Sequence, residues 1–183
     1  SSTSRGLGDV YKRQVYFCPM SEIILTSEQI EHKLERIAYQ ILEANGENQT
    51  IIIAGIVSNG YAVAKRIVHH LKANSSKEIL SCEIKIDKKN PRNPIQTTLA
   101  AKEYTDKSVV LVDDVLHTGT TLIYAVRHFL SVPLKQCKTA VLLDRNHKKF
   151  PIKADFKGVS LSTSINENVA VQVKPNGFIA VLD

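Results

Sequence analysis

Two adjacent carboxylates, Asp113 and Asp114, follow four apolar residues, Val109-Val110-Leu111-Val112, and precede a hydroxyl-rich turn, Thr118-Gly119-Thr120-Thr121. The apolar run has no polar alternation, the pattern of a strand buried on both faces of a parallel sheet. The turn opens an apolar-periodic helix over Leu122 to Leu130. Paired acids at a strand tip, beside small residues at a helix start, suit a sugar phosphate. The unsatisfied N–H groups and the positive end of the helix dipole attract the phosphate, and threonine hydroxyls complete the cradle. The carboxylates can accept hydrogen bonds from a ribose diol.

The neighbouring elements must deliver those residues to one place. Thr26 or Ser27 caps a helix through about Ala44, with Ile30, Leu34, Ile37, Ile41 and Leu42 as its apolar stripe and Asn45-Gly46 as its stop. Ile51 to Val57 reads as a buried strand, Ser58-Asn59-Gly60 as a turn, Tyr61 to Leu71 as a helix and Ile79 to Ile86 as a strand. Residues 87–98 form a polar, proline-punctuated loop. A strand over Thr139–Leu143 ends in Asp144-Arg145, and short strands near 158–162, 169–173 and 178–182 close the chain. This alternation predicts an α/β fold with a parallel sheet and right-handed crossovers, and ligands at the carboxyl ends of its strands. Three loops then share one edge: 57–61, 87–98 and the acid-bearing segment itself. Lys88, Lys89 and Arg92 are the cations of the second.

The segment 109–121 meets every position of a known pattern: four apolar residues, two acids, two apolar residues, any residue, then Thr-Gly-x-Thr. It resembles the 5-phosphoribosyl-1-pyrophosphate (PRPP) signature of type I phosphoribosyltransferases. The resemblance implies a Rossmann-like parallel sheet with a small C-terminal hood, and displacement at the anomeric carbon by a nucleobase nitrogen with pyrophosphate leaving. It implies a transition state of oxocarbenium character. Asp113 and Asp114 would hold the ribose hydroxyls and support the water shell of a Mg²⁺ carried mainly by PRPP, with no protein ligand bound directly. Thr118, Gly119, Thr120 and Thr121 would hold the 5′-phosphate. Ser58, Asn59 and Gly60 take the position of the pyrophosphate loop, where relatives often place Arg-Gly or Lys-Gly; this chain has Asn59 instead of a cation. Residues 87–98 correspond to a flexible loop that closes over the site, and Lys88, Lys89 and Arg92 are there to replace the missing charge.

Two features bear on the base. Hypoxanthine–guanine enzymes carry an acid where this chain has His117, and uracil-type regulators carry Tyr. His117 reads either as a proton acceptor near neutral pH, and so a catalytic residue with Asp113 and Asp114, or as a loop residue without a partner. Asp144, Arg145, His147, Pro151, Ile152, Ala154, Asp155, Phe156 and Gly158 match a stretch of the bacterial PyrR proteins, bifunctional pyrimidine-operon attenuators and uracil phosphoribosyltransferases, while Asn146 replaces a glycine. Ser162-Thr163-Ser164 is similar to that subgroup's Pro-Thr-Ser. The loop at 87–98 lacks the subgroup's Tyr-Arg-Asp-Asp type motif. Asp144, Arg145 and His147 are therefore the base-side candidates. The expected activity is transfer of phosphoribose from PRPP to uracil, giving UMP. The alternatives are a nucleotide-responsive RNA-binding regulator, with Lys148, Lys149, Lys153 and Lys157 contributing, and a purine phosphoribosyltransferase. Family resemblance implies a homodimer or higher oligomer.

Composition sets the outer bounds. The chain has 183 residues, 43% hydrophobic and 23% charged, enough for one domain with a sizeable core. Residues 1–19 have no periodicity and read as a non-native leader, with Met20, the only methionine, as the natural start of a single domain over 20–183. Arg5, Lys12 and Arg13 against Asp9 give that leader +2 of the net +6, leaving a mildly basic domain suited to polyanionic ligands. No apolar run approaches the ~20 residues of a membrane span. Cys18, Cys82 and Cys137 are far apart and lack metal spacing, as in a reduced cytoplasmic protein.

Overall fold

The computed structural model describes residues 22–162 and 167–182. The leader, Met20, Cys18, Thr163 and Ser164 lie outside the described residues. The elements in chain order are β1 (Glu22–Leu25), α1 (Ser27–Ala44), β2 (Thr50–Ile56), α2 (Asn59–Ala73), β3 (Glu78–Lys85), β4 (Gln96–Thr97), α3 (Ala101–Tyr104), β5 (Ser108–Leu116), α4 (Thr120–Phe129), β6 (Gln136–Arg145), β7 (Phe156–Leu161), β8 (Val169–Lys174) and β9 (Gly177–Leu182).

Six strands form the central sheet in the order β4-β3-β2-β5-β6-β7. All neighbours run parallel except β4, which pairs antiparallel with β3 at the edge. The buried runs Ile51–Ala54 and Val109–Val112 sit side by side at its centre. One face carries Ile30, Leu34, Ile37 and Ile41 of α1 and Val63, Ile67 and Leu71 of α2. The other carries Leu122, Ala125 and Phe129 of α4 with Tyr104 of α3. Cover on both faces explains why these strands are continuously apolar.

From β2 the chain crosses to β3 on one side, and from β5 it proceeds to β6 and β7 on the other. The sheet therefore reverses its winding between β2 and β5, and a crevice opens beyond their carboxyl ends. A second sheet, β1-β9-β8, is antiparallel throughout. It forms the hood, and Ser27 Oγ at the start of α1 donates to the Phe178 carbonyl of β9 at 2.7 Å.

The structure departs from the sequence expectation in informative ways. β1 has no sequence signal: four residues, two of them exposed, become a strand only because β9 is there to pair with them. β5 continues four residues past its apolar run, through both acids, since β6 supplies partners as far as Leu116↔Asp144. β6 likewise extends through Asp144 and Arg145. Helix α1 begins where expected, with Thr26 and Gln29 forming a reciprocal capping box. Among the described residues no helix is long and apolar enough to cross a membrane.

Candidate active site

Two strand-to-helix turns meet at the crevice. The first joins β2 to α2 through Val57–Ser58, whose peptide is cis. The second joins β5 to α4 through His117, Thr118 and Gly119. Neither helix has a side-chain cap at its N-terminus. Apart from the Thr120 amide, which is held locally, their helix-start amides have no side-chain cap, and both helix dipoles point positive ends at the same crevice. In the second turn Thr118 Oγ1 lies 2.9 Å from Thr120 Oγ1 and accepts from the Thr120 amide at 3.3 Å. Gly119 adopts φ +81°, and a Cβ there would run into Ile152 Cγ2. The turn is thus possible only for a residue that tolerates the left-handed region and has no side chain. A small pocket of about 60 Å³ lies between Asp113, His117 and residues 118–121.

The acid pair sits between the two turns. Asp113 is buried, and its Oδ1 accepts from the Asp114 amide at 3.0 Å. A Cβ on Gly60 would lie 2.8 Å from Asp113 Oδ1 and 2.9 Å from its Cα, so glycine lets the first turn close onto the tip of β5. Burial, then the neighbouring Asp114 carboxylate, pushes the Asp113 carboxyl well above the usual aspartate range. Lys88 opposes this, so the loop after β3 brings a cation within electrostatic reach of the acid pair. Arg92 of the same loop lies elsewhere, in a cleft with Tyr124, Arg127 and His128 against α4. Lys89 contributes its amide to Asp87 Oδ1 at 2.9 Å, part of a turn closed by Asn90 and Asn93.

Asn59 occupies the place where a cation is common. Its Nδ2 donates to Asp114 Oδ2 at 3.2 Å and to the Val171 carbonyl of β8 at 2.7 Å. Nothing in the sequence indicated this bond, because Asn59 and Val171, 112 positions apart, are brought together only by the tertiary fold.

The carboxyl end of β6 builds the remaining wall. Asp144 is buried and pairs with Lys148 at 2.8 Å and Lys157 at 3.3 Å. Arg145, 2% exposed, donates to the Glu167 carbonyl at 2.8 Å. Asn146 donates to Ser162 Oγ at 2.9 Å. The loop beyond folds back on the phosphate turn: the amides of Lys149 and Phe150 donate to the Thr118 carbonyl at 2.9 and 3.1 Å. His117 is exposed at the centre of this cationic wall. Partial burial, then Arg145, Lys149 and His147, hold its imidazole below the usual histidine pKa.

The structure thus brings together Ser58, Asn59 and Gly60, Lys88, Asp113 and Asp114, and His117 through Thr121. Asp144 and Arg145 stand behind that group as buried supports, His147 is exposed in the loop that follows, and Arg92 is apart. A Mg²⁺ accompanying PRPP fits this donor set. Asp114, with Asp113 behind it, would accept hydrogen bonds from the ion's water shell and leave its coordination to substrate oxygens and water. Among the described residues no group of three or more His, Cys, Asp or Glu is placed to hold a metal.

Comparison with known proteins agrees with this geometry. Residues 20–176 match the phosphoribosyl transferase domain. The "Bifunctional protein PyrR" of Pediococcus pentosaceus is 34% identical over 165 residues, covering 85% of this chain and 93% of that protein. The protein of the same name from Streptococcus agalactiae is 34% identical over 153 residues, 82% of this chain and 88% of that protein. Among solved structures, the hypoxanthine phosphoribosyltransferase of Trypanosoma cruzi superposes with TM-score 0.71 at 17% identity, covering 87% of this chain and 95% of that one. A hypoxanthine-guanine phosphoribosyltransferase from Bacillus anthracis gives TM-score 0.68, also at 17% identity, covering 87% and 97%. At that identity the structures speak for the fold, and the PyrR proteins speak for the family. The chain belongs to the type I phosphoribosyltransferases, in a PyrR-like branch.

Proposed function

We propose that this phosphoribosyltransferase transfers phosphoribose from PRPP to uracil, giving UMP and pyrophosphate. The observation that carries the PRPP site is the convergence of the Asp113–Asp114 pair with two uncapped helix starts at the reversal point of the sheet. The 5′-phosphate sits on the amides and hydroxyls of residues 118–121. The ribose diol is held by Asp113 and Asp114. Pyrophosphate lies against the turn at Ser58–Gly60, with Lys88 approaching from the loop. Mg²⁺ arriving with PRPP supplies charge neutralisation on the leaving group. The bond from C1′ to the pyrophosphate oxygen breaks as the bond from C1′ to uracil N1 forms, and the N1 proton leaves. His117 is the proton acceptor in this reading, supported by surroundings that hold its imidazole below the usual histidine pKa.

Uracil is favoured over a purine by the non-acidic residue at 117, the PyrR-like stretch Leu143–Gly158 and the 34% identity to proteins named PyrR. The hypoxanthine-type neighbours carry no weight for the base at 17% identity. A cytoplasmic protein accords with the free thiols of Cys82 and Cys137, and the family resemblance supports a homodimer or higher oligomer.

A second activity is favoured by the bifunctional name of the relatives and the lysines after β6. It is UMP-responsive RNA binding through Lys148, Lys149, Lys153 and Lys157. Lys148 and Lys157 also anchor Asp144, so they join this surface to the site. RNA affinity should fall with salt and with Lys148→Ala.

The deciding assay offers radiolabelled uracil, hypoxanthine, guanine, xanthine and orotate with PRPP and Mg²⁺, to wild type and to Asp114→Asn. Turnover of uracil alone, lost in the variant, is expected. Turnover of a purine instead would overturn the uracil assignment. Binding of PRPP or UMP without turnover of any base would leave the regulator reading. Binding of neither ligand would overturn the PRPP site.

A further inference from the structure

We propose that Asn59 is a positioning residue that ties the hood to the ribose-binding acid pair, so that seating of the hood and binding of PRPP are coupled. This rests on the phosphoribosyltransferase reading above and goes beyond it. The amide nitrogen of Asn59 has two hydrogens. One is directed to Asp114 Oδ2 at 3.2 Å and the other to the Val171 carbonyl at 2.7 Å. Both donors are therefore committed within the protein. What the Asn59 side chain can still offer a ligand is its Oδ1, an acceptor, which pyrophosphate oxygens do not favour; only its backbone amide still faces outward as a donor.

The residue at this position thus does not do the work of a cation. It joins three separate parts of the fold: the start of α2, the tip of β5 and the hood strand β8. Each end of the link is well placed. Asp114 follows Asp113, which is itself pressed against the neighbouring Gly60. Val171 is buried and pairs with Ala180 of β9, whose strand is joined to α1 through Ser27. A shift of β8 would pull on Asn59 and so rotate the Asp114 carboxylate away from the diol. Conversely, a ribose that fixes Asp114 fixes Asn59 and holds β8 down over the base. The charge that other pyrophosphate loops carry in this turn must then come from elsewhere, and Lys88 is the cation whose charge reaches Asp113.

The test uses wild type, Asn59→Ala, Asn59→Asp and Asn59→Arg. PRPP affinity is measured by calorimetry with Mg²⁺, KM for base and for PRPP by steady-state kinetics, and amide exchange of residues 169–174 by mass spectrometry with and without PRPP. Loss of a hydrogen bond to a carboxylate predicts roughly a tenfold weaker PRPP Kd in Asn59→Ala. Wild type should slow exchange in β8 when PRPP binds, and Asn59→Ala should lose that response while its resting exchange rises. Asn59→Asp should bind PRPP still more weakly, with affinity declining further as pH rises and the third carboxylate ionises. That pH dependence separates positioning from mere loss of packing. Unchanged PRPP affinity and an intact PRPP-induced protection of β8 in Asn59→Ala would overturn the coupling alone. A higher kcat/KM in Asn59→Arg would also overturn it, since the position would then favour a cation toward pyrophosphate. Failure of wild type to bind PRPP would overturn the underlying reading and the coupling with it.

Discussion

Substituting Gly119 by alanine perturbs the phosphate turn in two separable ways. Gly119 holds φ +81° at the start of α4. An alanine in the left-handed region costs about 1–2 kcal/mol. Its Cβ would also meet Ile152 Cγ2, and Ile152 is partly buried in the cluster packed around α4. Forcing a methyl into a packed site typically costs about 1–3 kcal/mol. Together these predict a loss of roughly 2–5 kcal/mol, a large share of the ~5–15 kcal/mol that holds a domain folded. At about 2–4 °C per kcal/mol for a chain of this size, the melting midpoint should fall by roughly 4–20 °C. Ile152 belongs to the loop that closes on the phosphate turn, where the amides of Lys149 and Phe150 donate to the Thr118 carbonyl and the Ile152 amide donates to the Phe150 carbonyl, so displacing it disturbs that loop. PRPP affinity should therefore fall as well.

Thermal unfolding with and without PRPP, across Gly119→Ala, Ile152→Ala and the double variant, separates the two terms. Ile152→Ala removes the clashing methyl, so the double variant should recover the packing part and keep the backbone part. A Gly119→Ala protein melting within about 2 °C of wild type would refute the reasoning. Strict additivity of the two substitutions would refute the assigned contact.

Three further outcomes follow from the site. Asp113→Asn should abolish PRPP binding yet raise stability at neutral pH. The folded carboxyl has its pKa raised, so the folded chain holds a proton that the unfolded chain releases, and stability falls as pH climbs from the ordinary aspartate range to the folded value. The advantage of the variant should disappear in acid below that range, as urea titrations at several pH values would reveal. Lys88→Ala should raise the KM for PRPP by roughly tenfold, as expected for loss of one charge-assisted contact, while Arg92→Ala should change it less than twofold; equal effects would contradict the placement of the two cations. His117→Ala should slow kcat several-fold and remove an acid limb in the pH–rate profile that lies below the ordinary histidine pKa. An unaltered profile would assign the proton to solvent.

Much of the molecule was legible in order along the chain. Local rules sufficed for the buried strands at Ile51 and Val109, the amphipathic α1 and its capping box at Thr26, and the turn at Thr118–Thr121, since each depends on residues a few positions apart. The thirteen-position match at 109–121 was enough to place the acids on a strand leading into a helix, though pairing with β6 carries that strand past them to Leu116. β1 was not legible, because a four-residue strand has no pattern of its own and exists through β9. Nor was the length of β5 and β6, which is set by mutual pairing rather than by hydrophobicity.

The same division runs through the site. Residue types and spacing alone determined which groups could handle a phosphorylated sugar: Asp113, Asp114, the hydroxyl turn and the glycine at 60. Tertiary structure decided what those groups experience. It buried Asp113 and raised its pKa, because α2 closes onto β5 over a glycine. It placed Lys88 near the acids and Arg92 beside Tyr124, although the two lie on one loop. It turned Asn59 from an apparent gap in charge into a link between Asp114 and Val171. These are contacts between residues distant in sequence, and their energies depend on distance and burial, quantities that exist only once the chain has folded.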